Sequence, residues 1–442
     1  MGSIRATNAV PSSLSSIGTG PGSTHVARVD AQEAVARKRW QLAFVAGVGM
    51  IVAVLMTGTL LVWPLIDKST AYSHFPVLAH NLLRGDLTVD ALPDIHPDVV
   101  AFHGHKYLPF GPLPALILVP FLSLIDLGMR LVWVGHLVTL VNAWLFYRVL
   151  KRIDIGTEQL KWSMLLFFGG TVYLNLAFEG SGWGLSQMIT VTFIIAAIGE
   201  AVAGRRPFVM GLLLAIAGTA RFTALFAVPF FLLMIWKDAR KDEEPVAWGL
   251  VLKKWGMLAA GLAGPVFLLG LYNYARFGNP LDTGYATAAL HNTILEAARS
   301  HGMFSLAHVP KNLVMMLFQG PVAYPSEDAP ILQFPYLQPS VWGMGIFFTS
   351  PALIYIFRAK LREPLVRACW LAVICVMVPV ITYYGIGWQQ VGYRYALDFI
   401  PFLIVLAARG MPNPMNGAAR VLVIISLAVN LWGCMFLSGL GR

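Results

Sequence analysis

Charge is what this sequence lacks most. Lys, Arg, Asp and Glu make up 12% of its 442 residues, against about 25% in a typical soluble domain. With 57% of the chain hydrophobic, that scarcity excludes an ordinary water-soluble fold and points to an integral membrane protein. The length suffices for roughly ten or more spans of about 20 residues each. Cysteine is also scarce. The three present, Cys369, Cys375 and Cys434, lie inside apolar runs, which excludes a disulfide framework and a thiolate metal site. No short-period repeat is present, so a solenoid is out. No inverted repeat is evident either, which disfavours many transporter folds.

The net charge of +10 does not indicate nucleic acid. Its basic residues fall mostly in short loops between apolar runs and read as topology determinants. Those runs lie at about 41–63, 111–127, 130–149, 160–177, 184–203, 207–236, 251–274, 340–357, 364–384, 395–408 and 420–438. Residues 1–38, rich in Ser, Gly, Thr and Ala, read as a disordered cytoplasmic tail. Residues 39–442 then form one all-α transmembrane domain of about 11–12 full or partial spans. The first run is long enough to span, which argues against a cleaved signal peptide. Arg37, Lys38 and Arg39 place the N-terminus inside. Two features let the remaining loops alternate. The 207–236 run is interrupted by "GTARFT". An Arg at mid-bilayer costs at least about 2.5–3.5 kcal/mol, so two short helices turning at Arg221 are expected. The 111–127 run, with Pro112, Pro114 and Pro120, reads as a partial or re-entrant span. The long outer segments are then 64–110 and 275–339.

Ionisable residues concentrate in the first outer loop. It holds five of the ten histidines, between His74 and His105, together with Asp67, Asp86, Asp90, Asp94 and Asp98. Apolar residues from Tyr72 to Leu83 recur at helical spacing and predict an amphipathic helix on the membrane surface, ended by Gly85. Three readings of the rest stay open. The loop is solvated and capped, or presents an acid/base carboxylate, or holds a metal through His96, Asp98, His103 and His105. Four cations, Lys106, Arg221, Arg276 and Arg394, fall on the outer side. Each has an ordinary explanation, such as snorkelling for Arg276 or an i,i+4 pair of Arg394 with Asp398. Together they suit a lipid-linked phosphate, gripped by charge-assisted hydrogen bonds. Tyr107, Glu179 and Tyr393 lie in the same outer segments. Tyr107 with Lys106 also fits an interfacial anchor, and Glu179 a helix cap.

Five segments, "AHNLLRGDL", "GHKYLPFGPLPALILVP", "GTARFTALFAVPFFLL", "YNYARFGNPLDTGY" and "GYRYALDFIPFL", make residues 40–440 resemble the GT-C superfamily of polytopic glycosyltransferases. That group includes the protein O-mannosyltransferases and aminoarabinose transferases often placed in family 39. The resemblance implies transfer of a sugar from a polyprenyl-phosphate donor, at the outer face of the plasma membrane, with inversion. It implies an Asp general base early in the first outer loop. Counting back from Gly85, the family position falls at Thr70, which is not acidic; Asp67, three residues earlier, is the first candidate and Asp98 the second. Lys106, Arg221, Arg276 and Arg394, with Tyr107, Glu179 and Tyr393, would hold the lipid phosphate and sugar. No cofactor is required, although a divalent metal could bridge the leaving phosphate. The competing readings are a lipid or small-molecule transporter or flippase, and a non-catalytic membrane protein that keeps the fold.

Overall fold

A computed structural model describes residues 74–93, 96, 98–239, 247–286, 293–324, 331–332 and 335–437. The expected tail, the 41–63 span and Asp67 lie outside the described residues. The fold is all-α: among the described residues the strands are two short pairs, Val100–Phe102 with His105–Tyr107 and Val322–Ala323 with Leu337–Gln338.

Among the described residues, six helices are long and apolar enough to cross a membrane: Leu131–Leu150, Gly182–Val202, Phe222–Ala239, Trp248–Phe277, Pro364–Thr382 and Gly417–Leu437. Shorter apolar helices, among them Pro207–Ala220 and Ile400–Gly410, complete the bundle. The 207–236 run does break at Arg221. Its extended backbone (φ −145°, ψ 111°) separates Pro207–Ala220 from the 3-10 turn Phe222–Ala227. The 111–127 run is broken as its prolines demand, into Leu113–Leu118, a 3-10 turn Val119–Phe121 and Leu122–Asp126. Proline lacks the N–H that an uninterrupted helix needs. The 160–177 run divides into Thr157–Gly169 and Tyr173–Glu179, and the 340–357 run into Ile346–Thr349 and the 3-10 segment Pro351–Arg358.

Two helices touch backbone to backbone. A Cβ at Gly211 would lie 2.1 Å from the Leu258 carbonyl oxygen, and one at Gly261 2.0 Å from that of Phe208. Glycine is required at this crossing of Pro207–Ala220 with Trp248–Phe277, the small-residue packing that membrane helices use. The polar residue Asn142 also serves the bundle: its amide donates to the Tyr173 hydroxyl (2.9 Å) and the Met188 carbonyl (3.1 Å). A buried amide paired in this way joins three helices.

The helix expected at 72–83 is present as His74–Leu82, and Gly85 ends it at φ 75°. Its buried face carries His74, Phe75, Pro76, Leu78 and Ala79. Phe75, Leu78 and Ala79 pack with Leu108, Ala115, Leu118, Leu185 and Ile189 in one apolar cluster. The cluster docks the helix on the broken 113–126 segment and on Gly182–Val202, and so brings His74 over the start of the latter.

Candidate active site

His74 is fully buried, with its Nδ1 3.8 Å from Asp98 Oδ2. Neither ring nitrogen of His74 nor Asp98 Oδ2 has a hydrogen-bond partner. The His74 ring stacks on Phe110 (centroids 5.1 Å apart, planes 27°) and meets the edge of His96 at 5.5 Å. Its Nε2 faces the backbone of Gly182, where an added Cβ would stand 2.8 Å away. Only Nδ1 is therefore open toward Asp98. Burial pushes the Asp98 carboxyl up to about 7, although the charge of Arg394 and a hydrogen bond from Trp183 pull the other way. Burial and the neighbouring His96 hold His74 down to about 3, so its ring is neutral at ordinary pH.

Arg394 and Trp183 complete the site. The Arg394 guanidinium sits 4.8 Å from the centroid of the Trp183 ring, and the same indole hydrogen-bonds to Asp98. One aromatic ring thus couples cation to carboxyl, a cation–π contact strengthened by exclusion of water. Arg394 opens a 3-10 turn, Arg394–Asp398, and is clamped by its peptide. Gln187 donates to its carbonyl (3.0 Å), and its N–H donates to Gln390 Oε1 (3.3 Å). Arg394 as a whole is buried, yet its Nη1 has no partner. Glu179 lies within electrostatic reach of Arg394 and also keeps a buried oxygen unpaired. Ser181, not Glu179, caps the next helix, accepting the Gly184 N–H at 3.0 Å. Unpaired buried polar atoms are costly, and their gathering on facing elements marks a place prepared for a polar ligand.

The other candidates are engaged elsewhere. His103 and Gly104 form the tip of a two-residue hairpin, with φ 49° and 83° and Phe102 opposite His105. That turn type needs positive φ at both central residues, and it leaves His103 exposed. His105 is exposed as well, 2.9 Å from Asp90 Oδ2. Lys106 staples the same loop: its N–H donates to Asp90 Oδ1 (2.6 Å) and its Nζ to the Leu92 carbonyl (2.7 Å). Tyr107 packs edge-on against Phe277, 5.5 Å away. Arg276 donates to the Leu108 carbonyl and to Asn273 Oδ1 (2.7 Å), and lies 3.9 Å over the Tyr272 ring. It ties the hairpin to the end of its long helix. Arg221 is forked on Asp398, with Nε 2.8 Å from Oδ1 and Nη2 3.0 Å from Oδ2. Asp398 therefore pairs across the bundle and not with Arg394. Tyr393 is buried with an unpaired hydroxyl, and its ring centroid is 6.0 Å from that of Tyr395.

Among the described residues, the grouping with metal-ligand potential is His74, His96 and Asp98, whose candidate atoms lie within 4.8 Å of one another. His103 and His105 are not in it. The fit to a cation is poor as the side chains stand. His96 Nδ1 accepts the Asp98 N–H at 3.2 Å, so a neutral ring carries its proton on Nε2. That nitrogen is a donor, and ligation through it would need the proton moved and the backbone contact broken. What the trio offers directly is a carboxylate oxygen, an imidazole nitrogen and a buried N–H, a set suited to an oxygen-bearing ligand such as a hydroxyl.

Sequence reasoning reached Asp98, Arg394 and Glu179 but missed His74 and Trp183. His74 differs from the other loop histidines in lying on the apolar face of the His74–Leu82 helix, beside Phe75. Trp183 stands within "EGSGWG", four residues after Glu179.

These features define an all-α membrane protein with a buried carboxyl–histidine–arginine site. No family model matches the chain, and no curated protein matches it in sequence. Among solved structures it is similar to the archaeal oligosaccharyltransferase AglB from Archaeoglobus fulgidus, determined in complex with an inhibitory peptide and a dolichol-phosphate. The likeness has a TM-score of 0.46 at 10% identity and covers 91% of this chain and 56% of the other.

Proposed function

We propose that this protein transfers a sugar from a polyprenyl-phosphate donor to an acceptor hydroxyl at the extracytoplasmic face of the plasma membrane, with Asp98 as the general base. The observation that carries the reading is the Asp98–Trp183–Arg394 arrangement. A partnerless buried carboxyl oxygen and a partnerless guanidinium nitrogen are held beside one indole, in a chain with helices able to span lipid. Such a donor is itself amphipathic. Its isoprenoid tail needs lipid, and its phosphate needs a fixed cation near the interface.

In the step proposed, Asp98 takes the proton from the acceptor hydroxyl as that oxygen bonds to the anomeric carbon. The bond from the anomeric carbon to the phosphate oxygen breaks, and its electron pair leaves on the lipid phosphate. Attack opposite the leaving group inverts the anomeric centre. Arg394 faces the charge that develops on the phosphate, the kind of preorganised stabilisation that lowers such barriers most. A carboxyl poised near neutral pH suits a base that must both take and release a proton. His96 Nε2–H can donate to the acceptor oxygen, and neutral His74 adds no charge that would hold Asp98 ionised. The proposal moves the base from the early loop position implied by the family to Asp98; Asp67 lies outside the described residues.

Turnover of radiolabelled polyprenyl-phosphate sugars by purified protein in lipid tests the reading. Wild type should release or transfer label from at least one donor, and a folded Asp98→Asn variant should not. No turnover of any donor by wild type, or full turnover by the variant, would overturn it.

A further inference from the structure

We propose that Tyr285, Tyr383 and Tyr395 form the subsite for the donor's sugar ring, directly beside Arg394. This rests on the lipid-phosphate reading above and extends it to a part of the molecule that reading does not use. Tyr383 is the hub of a connected aromatic set. Its ring centroid is 6.4 Å from that of Tyr285, 6.3 Å from Tyr395, 4.6 Å from Tyr384 and 5.6 Å from Phe304. The set joins the active site at two points. Tyr285 meets Phe110 at 5.9 Å, and Phe110 stacks on His74. The Tyr395 ring centroid is 5.6 Å from the Arg394 guanidinium and 5.5 Å from that of Arg221.

Three properties separate this cluster from an ordinary interfacial belt of tyrosines. Its members come from three separate elements: the loop after Trp248–Phe277, the end of Pro364–Thr382, and the turn Arg394–Asp398. They touch one another instead of standing singly. Tyr285, Tyr383 and Tyr395 are half-buried, and Tyr384 and Tyr393, in ring contact with Tyr383 and Tyr395, are buried. A pyranose is matched to such a surface. Its C–H face carries slight positive charge and rests on the negative face of an aromatic ring, while its hydroxyls reach phenolic oxygens and guanidinium donors at the rim. A phosphate on Arg394 places the attached sugar one ring away, past Tyr395 and toward Tyr383 and Tyr285.

The test compares binding of bare undecaprenyl phosphate with that of undecaprenyl-phosphate sugars carrying mannose, glucose, galactose or arabinose, to protein in nanodiscs. Wild type should bind at least one sugar-bearing lipid more tightly than the bare phosphate. Tyr383→Ala and Tyr285→Ala should lose about three- to tenfold of the sugar-dependent preference while binding bare undecaprenyl phosphate as wild type does. Tyr395→Phe, which keeps the ring face, should retain most of the preference. Equal weakening toward the bare and the sugar-bearing lipids, or an undiminished preference in both alanine variants, would overturn the subsite. Failure of wild type to bind any of these lipids would overturn the lipid-phosphate reading itself and the subsite with it.

Discussion

Asp398 faces Arg221, 177 positions away in the chain, through a two-pronged ion pair, with Nε 2.8 Å from Oδ1 and Nη2 3.0 Å from Oδ2. Thr223 adds a third bond to the same carboxylate at 2.6 Å. Asp398 is fully buried, so removing one partner strands a charge. Asp398→Ala and Arg221→Ala should each destabilise the fold by about 3–5 kcal/mol. Thermal denaturation of the solubilised protein measures this. Unchanged stability with weakened lipid-phosphate binding would instead make Arg221 a substrate ligand.

Stability should depend on pH through Asp98. Its folded carboxyl titrates near 7, above the ordinary 3.8, because burial disfavours the ion. A raised folded value stabilises the native state fully below the unfolded value, and that contribution fades as pH rises through 7. Wild type should therefore lose thermal stability between about pH 4 and 7 relative to Asp98→Asn. Parallel melting curves for the two proteins across that range would contradict this.

Arg394 is the guanidinium left with a buried, unpaired nitrogen beside the site. Arg394→Gln should weaken binding of bare undecaprenyl phosphate about tenfold to hundredfold, the range for a lost hydrogen bond to a charged group. Isothermal titration in nanodiscs measures it, with melting temperature as the control for folding. Undiminished affinity would remove Arg394 from the phosphate site.

Gly182 is fitted to the His74 ring: an added Cβ would lie 2.8 Å from His74 Nε2 and 3.1 Å from Phe75. Gly182→Ala should displace His74 and lower turnover by more than it lowers stability. Gly184, also at the start of this helix, offers a comparison, since its nearest obstruction stands at 3.3 Å. Equal losses of turnover from Gly182→Ala and Gly184→Ala would show that the His74 contact is not what matters.

Much of the fold was legible because it follows from local chemistry. A lone Arg in a 30-residue apolar run demands a break, and Arg221 supplies one. Prolines at 112, 114 and 120 forbid a continuous helix, and Gly85 stops the His74–Leu82 helix. The site was legible only in part. Asp98, Glu179 and Arg394 stand out as ionisable residues among apolar ones, but their partners are set by packing between distant segments. Nothing in the sequence tells Asp398 to pair with Arg221 in preference to Arg394, four positions away. The cluster of histidines misled for a related reason. His103 and His105 are near His96 in sequence, yet the tight turn at His103–Gly104 carries them onto an exposed hairpin, while His74 enters the site from the apolar face of a helix. Composition alone does not separate a histidine on a hairpin tip from one on a buried face.

The most direct test is the pH dependence of sugar transfer by wild type and Asp98→Asn, with a donor that wild type turns over. A base must be ionised to act, so the wild-type rate should climb as pH rises through about 7, and then level. Asp98→Asn should lose roughly 10²–10⁴-fold in rate, and the limb near 7 should vanish with it. A variant that keeps the wild-type rate and the same limb would contradict the assignment of Asp98 as the base.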